Sequence, residues 1–420
     1  MTDTCPAPAL LHWTEGGQAL VARWRSERGE PPPAQVVVAD DTLAANAALR
    51  MASEGTGLLW RGDFHNARHL LQALARRVDR PPRNPVRNTF KAKADQDPAA
   101  DDAQEAAARA AFLAHRQAQA RRAQVLGQVL VPMHADYSIP LRRAPDHRQA
   151  CTQAWGAPQG EAPWTVSLRE LLGVVSAFEW RKNGVPVPAL DVGPRRGHRG
   201  EDAPRIHPHH GVFSPVRGEY VELVAQAPWP PAAAASPGGK PQTAFDIGTG
   251  TGVLAAVLAR RGVARVLATD SDPRAVACAL ENLARLVPAG QVRVLQTDLF
   301  PSGRADLVVC NPPWVPGPAV SSLERAVYDV DSRMLLGFLN GLAEHLVPQG
   351  EAWLILSDLA EHLGLRSRAF LLAAIAHAGL QVLGRIDTRP THHKVSAQDD
   401  PLHAARAAEV TSLWRLGLAE

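Results

Sequence analysis

The feature that most constrains this 420-residue chain lies past its midpoint. A short apolar run, 244–248, carries Asp246 and leads into Gly248-Thr249-Gly250-Thr251-Gly252, which opens at once into GVLAAVLARRG. A strand that turns into a helix through alternating glycines lets the backbone approach a ligand closely. Downstream the grammar repeats. VARVLATD (263–270) reads as a second strand, and DPRAVACALENLARLV as a helix with Asp272 as cap and Pro273 in its first turn. QVRVLQTD and ADLVVC read as the third and fourth strands. A long helix over 332–350 closed by Gly350, a strand at EAWLILSDL and a helix over 363–379 follow. LQVLGRID is a further strand, and AEVTSLWRLGL an antiparallel one at the sheet edge. Strands alternating with helices of this length predict an α/β fold: a Rossmann-like, seven-stranded, mostly parallel sheet over residues 206–420.

Residues 1–205 read as a separate, mainly helical domain with a role in substrate recognition. LVARWRS (20–26), 41–53 and 66–78 each space apolar residues three or four apart, with Asp63 or Asn66 as a cap for the last. A polar stretch over 84–105 precedes an alanine-rich helix carrying Arg116, Arg121 and Arg122. Residues 165–184 read as a helix capped by Thr165 or Ser167 and ended by Gly184. VVVADD (36–41) has the look of a strand, but no glycine loop follows it.

Composition narrows the function. Lys+Arg is 45 against Asp+Glu 42, which argues against a strong global field for nucleic acid but leaves room for local patches. The arginines at 142, 143, 148, 195, 196 and 199 mark such patches, with an ordinary solvated face as the alternative. The four cysteines, Cys5, Cys151, Cys278 and Cys310, form no CxxC pair and suit a reducing, cytoplasmic setting. His207, His209 and His210 lack the partners of a recognisable metal site, so no metal is expected. No apolar run approaches the length of a membrane span, and no membrane association is expected.

The residues with chemistry cluster at predicted strand ends, where open sheets bind ligands. Asp270 ends the second strand and can accept ribose hydroxyls; Asp298 ends the third and can accept from an adenine amine. Counted from Gly248, the third glycine of a dinucleotide fingerprint would fall on Val253, so the loop departs from that pattern. The fourth strand ends in Asn311-Pro312-Pro313-Trp314. Two prolines make a rigid loop. The Asn311 side-chain carbonyl and the Pro312 carbonyl are two acceptors that can hold the two hydrogens of a planar nitrogen, and Trp314 offers a surface for stacking.

With these residues in view, 211–420 resembles the class I S-adenosylmethionine (AdoMet)-dependent methyltransferases, and within them the group with an N/D-PP-Y/F/W signature. That group methylates release-factor glutamine, exocyclic amines of rRNA bases and adenine in DNA. The resemblance implies that Asp246, Gly248, Thr249, Gly250 and Gly252 line the methionine side of AdoMet, that Asp270 holds the ribose and Asp298 the adenine amine. It implies that Asn311 sits between cofactor and substrate nitrogen. The segment 209–224 is similar to the stretch preceding the cofactor domain of release-factor methyltransferases: Phe213 and Pro215 fit, while Val216-Arg217-Gly218 departs from the arginine-proline-acid run. By that likeness Phe213, Arg217 and Glu219 fold over the pocket, and Phe213, Arg217 and Trp314 meet substrate.

The reading is an AdoMet-dependent N-methyltransferase acting on an exocyclic amine of an RNA base, as in rRNA processing. A protein glutamine, a small-molecule amine, and a non-catalytic AdoMet- or RNA-binding scaffold are the alternatives. After NPPW, Arg325, Tyr328, Asp329, Asp331 and Arg333 form a polar loop at the substrate entrance or a plain solvated connection. Arg389, His392, His393 and Lys394 mark a second such stretch.

Overall fold

The computed structural model describes residues 9–80, 98–191, 203–216, 218–321, 323–390 and 401–419. Among these the chain forms two compact units, one from 9–80 with 113–179, the other from 98–112 with 180–419. Arg195, Arg196, Arg199, Arg217, His392, His393 and Lys394 lie outside the described residues.

The first unit corrects the expectation of a mainly helical domain. It holds a six-stranded sheet of β1 (Leu10–Glu15), β2 (Gln18–Arg25), β3 (Gln35–Ala39), β4 (Thr56–Trp60), β5 (Val129–Met133) and β6 (Trp164–Ser167), in the order β1-β2-β6-β5-β4-β3. LVARWRS is therefore strand. The deciding signal is local: Gly16 and Gly17 both take positive φ in the two-residue loop that pairs Glu15 with Gln18, a hairpin geometry glycine favours. β4, β5 and β6 are buried at every position, and such short runs cannot be told from helix by periodicity.

Helices α1 (Ala45–Ser53), α2 (Phe64–Val78), α4 (Arg148–Trp155) and most of α5 (Leu168–Asn183) belong to this unit. α3 (Pro98–Gly127) contributes 113–127 here and 98–112 to the second unit. Asp63 caps α2 by accepting from His65 N. Trp60, Phe64, Leu74, Val131, Met133 and Leu168 form the core.

Besides 98–112, the second unit takes up the chain from residue 180, ahead of the expected boundary at 206. Arg181 reaches Glu281 at 2.7 Å, and β7 (Val185–Pro186) pairs with β8 (Arg205–Ile206), so these residues anchor forward. Beyond α6 (Glu219–Gln226) lie β9 (Thr243–Ile247), α7 (Val253–Arg260), β10 (Arg265–Asp270), α8 (Pro273–Leu286), β11 (Val292–Gln296) and β12 (Ala305–Cys310). A short pair, β13 (Val315–Pro316) and β14 (Tyr328–Asp329), precedes α9 (Arg333–His345) and β15 (Leu346–Ser357). Then come α10 (Leu359–His362), α11 (Arg368–His377), β16 (Leu380–Thr388), α12 (His403–Ala408) and β17 (Thr411–Leu418).

Seven of these strands form one α/β sheet in the order β11-β10-β9-β12-β15-β17-β16, parallel except for β17. Two details differ from expectation. The helix after NPPW stops at His345, and the chain enters β15 directly, with Gln349 at φ 62 and Gly350 pressed against the Val347 carbonyl. The last strand is antiparallel but internal; β16 takes the edge.

β17 is held by a buried ion pair. Glu351 on β15 is 1% exposed and accepts from Arg415 Nε at 2.8 Å and Nη2 at 2.6 Å. Arg415→Met leaves that carboxylate buried without its partner and should cost about 3–5 kcal/mol in chemical denaturation. The Glu351→Gln/Arg415→Met double variant should recover part of that loss.

Candidate active site

Strand order reverses between β9 and β12. From β9 the chain adds β10 and β11 on one side; β12 then returns to the other. Crevices at the carboxyl ends of such adjacent strands are where open α/β sheets bind ligands. β9 and β12 are paired to their last residues, with Ile247 opposite Cys310. The glycine loop and Asn311-Pro312-Pro313-Trp314 therefore leave the sheet side by side, about 4.8 Å apart at the strand ends.

The glycine loop is built by its own polar groups. Asp246 is 1% exposed, and its Oδ2 accepts from Thr249 Oγ at 2.6 Å and from Ala255 N at 3.0 Å. Gly248, Gly250 and Gly252 all have positive φ. A Cβ on Gly248 would strike Met334, and one on Gly252 would crowd Ala279 and Leu283 of α8. At Gly250 a Cβ would meet nothing within 4 Å. The loop is closed on its protein side and open at its middle glycine.

Asp270, at the end of β10, is tied to the loop. Its Oδ2 accepts from Gly250 N at 2.9 Å and its Oδ1 from Asp272 N at 2.9 Å. Each oxygen keeps a further lone pair. Burial raises the Asp270 carboxyl above its ordinary value and pushes Asp246 up to about 6.

In the NPPW loop both prolines are buried and Asn311 is half-buried. Trp314 Nε1 donates to Asn311 Oδ1 at 2.8 Å. Indole N–H only donates, so this bond fixes which end of the Asn311 amide is the acceptor and leaves the second lone pair of Oδ1. Thus Asp246, Gly248, Thr249, Gly250, Gly252, Asp270 and Asn311 meet at one strand edge. Asp298 follows β11 beside Thr297, whose N donates to the Asp270 carbonyl at 3.1 Å; its side chain is 68% exposed and pairs with Arg333 at 3.3 Å. Phe213 is half-buried beside Val212, which packs on Ala275 and Cys278 of α8. In the same segment Ser214 Oγ and Glu219 Oε1 are buried without a hydrogen-bond partner among the described residues.

His207 and His209 have structural partners. His207 Nδ1 lies 2.7 Å from the Arg181 carbonyl, and His209 Nε2 lies 2.7 Å from Glu281. Among the described residues no group of three or more His, Cys, Asp or Glu could hold a metal, and no helix is long and apolar enough to cross a membrane.

Two residues were not singled out from sequence. Asn282 is fully buried and donates to the Thr251 carbonyl at 3.1 Å, while its Oδ1 accepts from His207 N at 2.9 Å. Its signal was a lone amide on the apolar stripe of α8, beside Cys278, Ala279 and Leu283. Arg366 is 6% exposed; it donates to the Trp314 carbonyl at 3.0 Å and to Ser332 Oγ at 3.2 Å. The expected helix over 363–379 would include it, but the chain leaves α10 at His362 and enters α11 only at Arg368, so Arg366 falls in the loop between them. Asp331 and Ser332 beside it both have φ 54, an uncommon conformation for residues other than glycine.

With this geometry in view, comparison with known proteins is informative. Residues 234–370 match the family described as Methyltransferase small domain. The chain is 51% identical over 77 residues to a ribosomal protein L11 methyltransferase of Pelotomaculum thermopropionicum, covering 18% of this chain and 24% of the relative. It is 32% identical over 161 residues to a release factor glutamine methyltransferase of Cereibacter sphaeroides, covering 35% and 56%. It is 33% identical over 126 residues to a tRNA1(Val) (adenine(37)-N6)-methyltransferase of Parabacteroides distasonis, covering 27% and 52%. The chain thus spans about half or less of these relatives' lengths.

The buried Asp246 makes the domain sensitive to pH in an unusual sense. Its folded value, about 6, exceeds the ordinary 3.8. A group raised in this way contributes stability that is complete below its unfolded value and lost as the pH rises through the folded one. Stability measured from pH 4 to pH 6 should therefore fall more steeply in the wild type than in Asp246→Asn.

Proposed function

We propose that the chain is an AdoMet-dependent N-methyltransferase acting on an exocyclic amine of an RNA base. One observation carries the reading: β9 and β12 are paired through Ile247 and Cys310, so the open glycine loop adjoins an Asn311 whose acceptor oxygen is already oriented.

The residues present fit AdoMet. Gly250 faces open space, Asp270 retains lone pairs for ribose hydroxyls, and Glu219 Oε1 and Ser214 Oγ are buried acceptors without a donor among the described residues. Tyr220, fully buried next to Glu219, lies within electrostatic reach of Asp246, which brings the start of α6 toward the glycine loop. When bound, AdoMet supplies a methyl group already activated on a sulfonium.

The chain's own work is positional. Asn311 Oδ1 and the Pro312 carbonyl accept the two N–H groups of the planar amine and aim its lone pair. The buried prolines keep the loop from yielding. The Trp314 ring offers a stacking face, and its N–H holds the Asn311 amide in register. Asp298, Phe213 and Arg217 form the outer contacts of this reading: Asp298 for the adenine amine, the other two for substrate. No strong base is required, and the proton leaves to solvent after transfer.

Two of the three relatives fit a planar nitrogen, since their names include an adenine N6 and a glutamine. RNA is favoured over protein by the exposed arginines of the first unit and by Val216-Gly218, where the release-factor pattern is broken. Ribosomal RNA in the cytoplasm is the natural substrate of this reading. Glutamine methylation is the second reading, favoured by the length of the Cereibacter match.

Purified protein with radiolabelled AdoMet and separated RNA, protein and small-molecule fractions tests the assignment. Label should enter RNA and fall about a hundredfold or more in Asn311→Ala, the scale of losing an oriented polar contact in a transition state. Label confined to protein would overturn the RNA reading. Trp314→Phe keeps a ring but frees the Asn311 amide to turn; it should lower kcat more than it raises KM.

A further inference from the structure

The first unit has a run of parallel strand ends of its own. β3, β4 and β5 are mutually parallel, and the loops that follow them converge. Asp41 follows β3, Asp63 follows β4, and Arg142 and Arg143 follow β5. Asp63 is fully buried; its Oδ2 accepts from Arg142 Nε at 3.1 Å and from Arg143 Nε at 2.6 Å. Arg142 Nη2 also reaches Asp41 Oδ2 at 3.3 Å, while Asp41 Oδ1 accepts from Asp63 N at 2.9 Å.

The loop carrying the arginines is fixed by main chain as well. Phe64 N donates to the Arg142 carbonyl at 3.0 Å, and Asp63 bridges Arg142 in parallel register. Arg143 is held at φ 56, a conformation that rigid surroundings must maintain.

The charges are layered. The two arginine side chains are 70% and 62% exposed, against 0% for Asp63 and 33% for Asp41. The carboxylates hold the guanidinium groups by their inner edges. The terminal nitrogens of Arg143 and Nη1 of Arg142 then face outward from a fixed base. Arginines pre-oriented in this way are suited to phosphate oxygens. Arg122 and Arg148 are different: each is engaged by an exposed aspartate, Asp79 and Asp146 respectively. A shallow, largely open depression of about 360 Å³ shares Asp41 with the cluster and is lined also by Leu43, Trp60, Asn66, His69 and Leu70. It offers apolar wall and polar groups together, the mixture a nucleoside needs.

We propose that Arg142 and Arg143 form a clamp for a backbone phosphate of the RNA substrate, with the adjoining depression receiving part of the same nucleotide. This rests on the RNA reading of the C-terminal domain and adds a docking point within the first unit.

Anisotropy of a fluorescein-labelled single-stranded RNA of mixed sequence, titrated over a salt series, tests it. Arg142→Ala/Arg143→Ala should bind about tenfold more weakly, with the log–log salt slope reduced by about 0.7 for the loss of one single-strand phosphate contact. Arg122→Ala should bind as the wild type does. Because the double variant strips the buried Asp63 carboxylate of both guanidinium partners, the same titration is run with Asp63→Asn added to it, and an unchanged circular-dichroism spectrum shows that the fold is intact. Wild-type affinity and slope in the double variant would overturn the clamp; if label from AdoMet still entered RNA, the RNA reading would stand without it. A wild type that binds no RNA and labels only protein would overturn both.

Discussion

The second unit depends on the side-by-side pairing of β9 and β12. Five-residue β9 and six-residue β12 are each fully or almost fully buried, so a slip by one residue would drive Phe245, Ile247, Val308 and Cys310 from the core on one face of the sheet into the different core on the other. That register ends at Ile247 and Cys310. The chain can then place a glycine loop and a proline-stiffened loop next to one another with no further device. Everything proposed for the site follows from that adjacency.

Holding the two loops is a separate task, and buried polar groups perform it. Asn282 fastens the glycine loop to α8 through the Thr251 carbonyl. Arg366 fastens the NPPW loop to Ser332 through the Trp314 carbonyl. Asp329 caps α9 by accepting from Met334 N, and the Met334 side chain fills the space behind Gly248. A buried arginine is unfavourable by itself, and burial lowers the tendency of Arg366 to hold its proton. Its two hydrogen bonds offset that cost and leave the loop one arrangement.

Much of this was legible because the second unit repeats one grammar. Its strands are apolar runs bounded by glycine or charge, and the Asp272 cap with Pro273 marks the start of α8 as sequence rules predict. Of the N-terminal sheet only β3, the VVVADD run, was legible, for a physical reason: β4, β5 and β6 are short and buried throughout, and β2 shares its apolar spacing with a helix. Only Gly16-Gly17 declared the hairpin. The candidate site was legible where a residue acts through local chemistry, as with Asp246 and Asn311. It was illegible where a residue acts through a distant partner. Arg366 bonds a carbonyl 52 positions away, and the bond between Asp270 and Gly250 likewise exists only once β9 and β10 are paired.

The central claim is that the carboxyl edge of the second sheet is an AdoMet site centred on the glycine loop and Asp270. Calorimetric titration with S-adenosylhomocysteine tests it most directly, since the product analogue needs no methyl acceptor. The account predicts one equivalent bound by the wild type and at least tenfold weaker binding by Asp270→Ala, the scale of losing a hydrogen bond to a charged acceptor. Absence of binding to the wild type, or equal affinity in the variant, would contradict it.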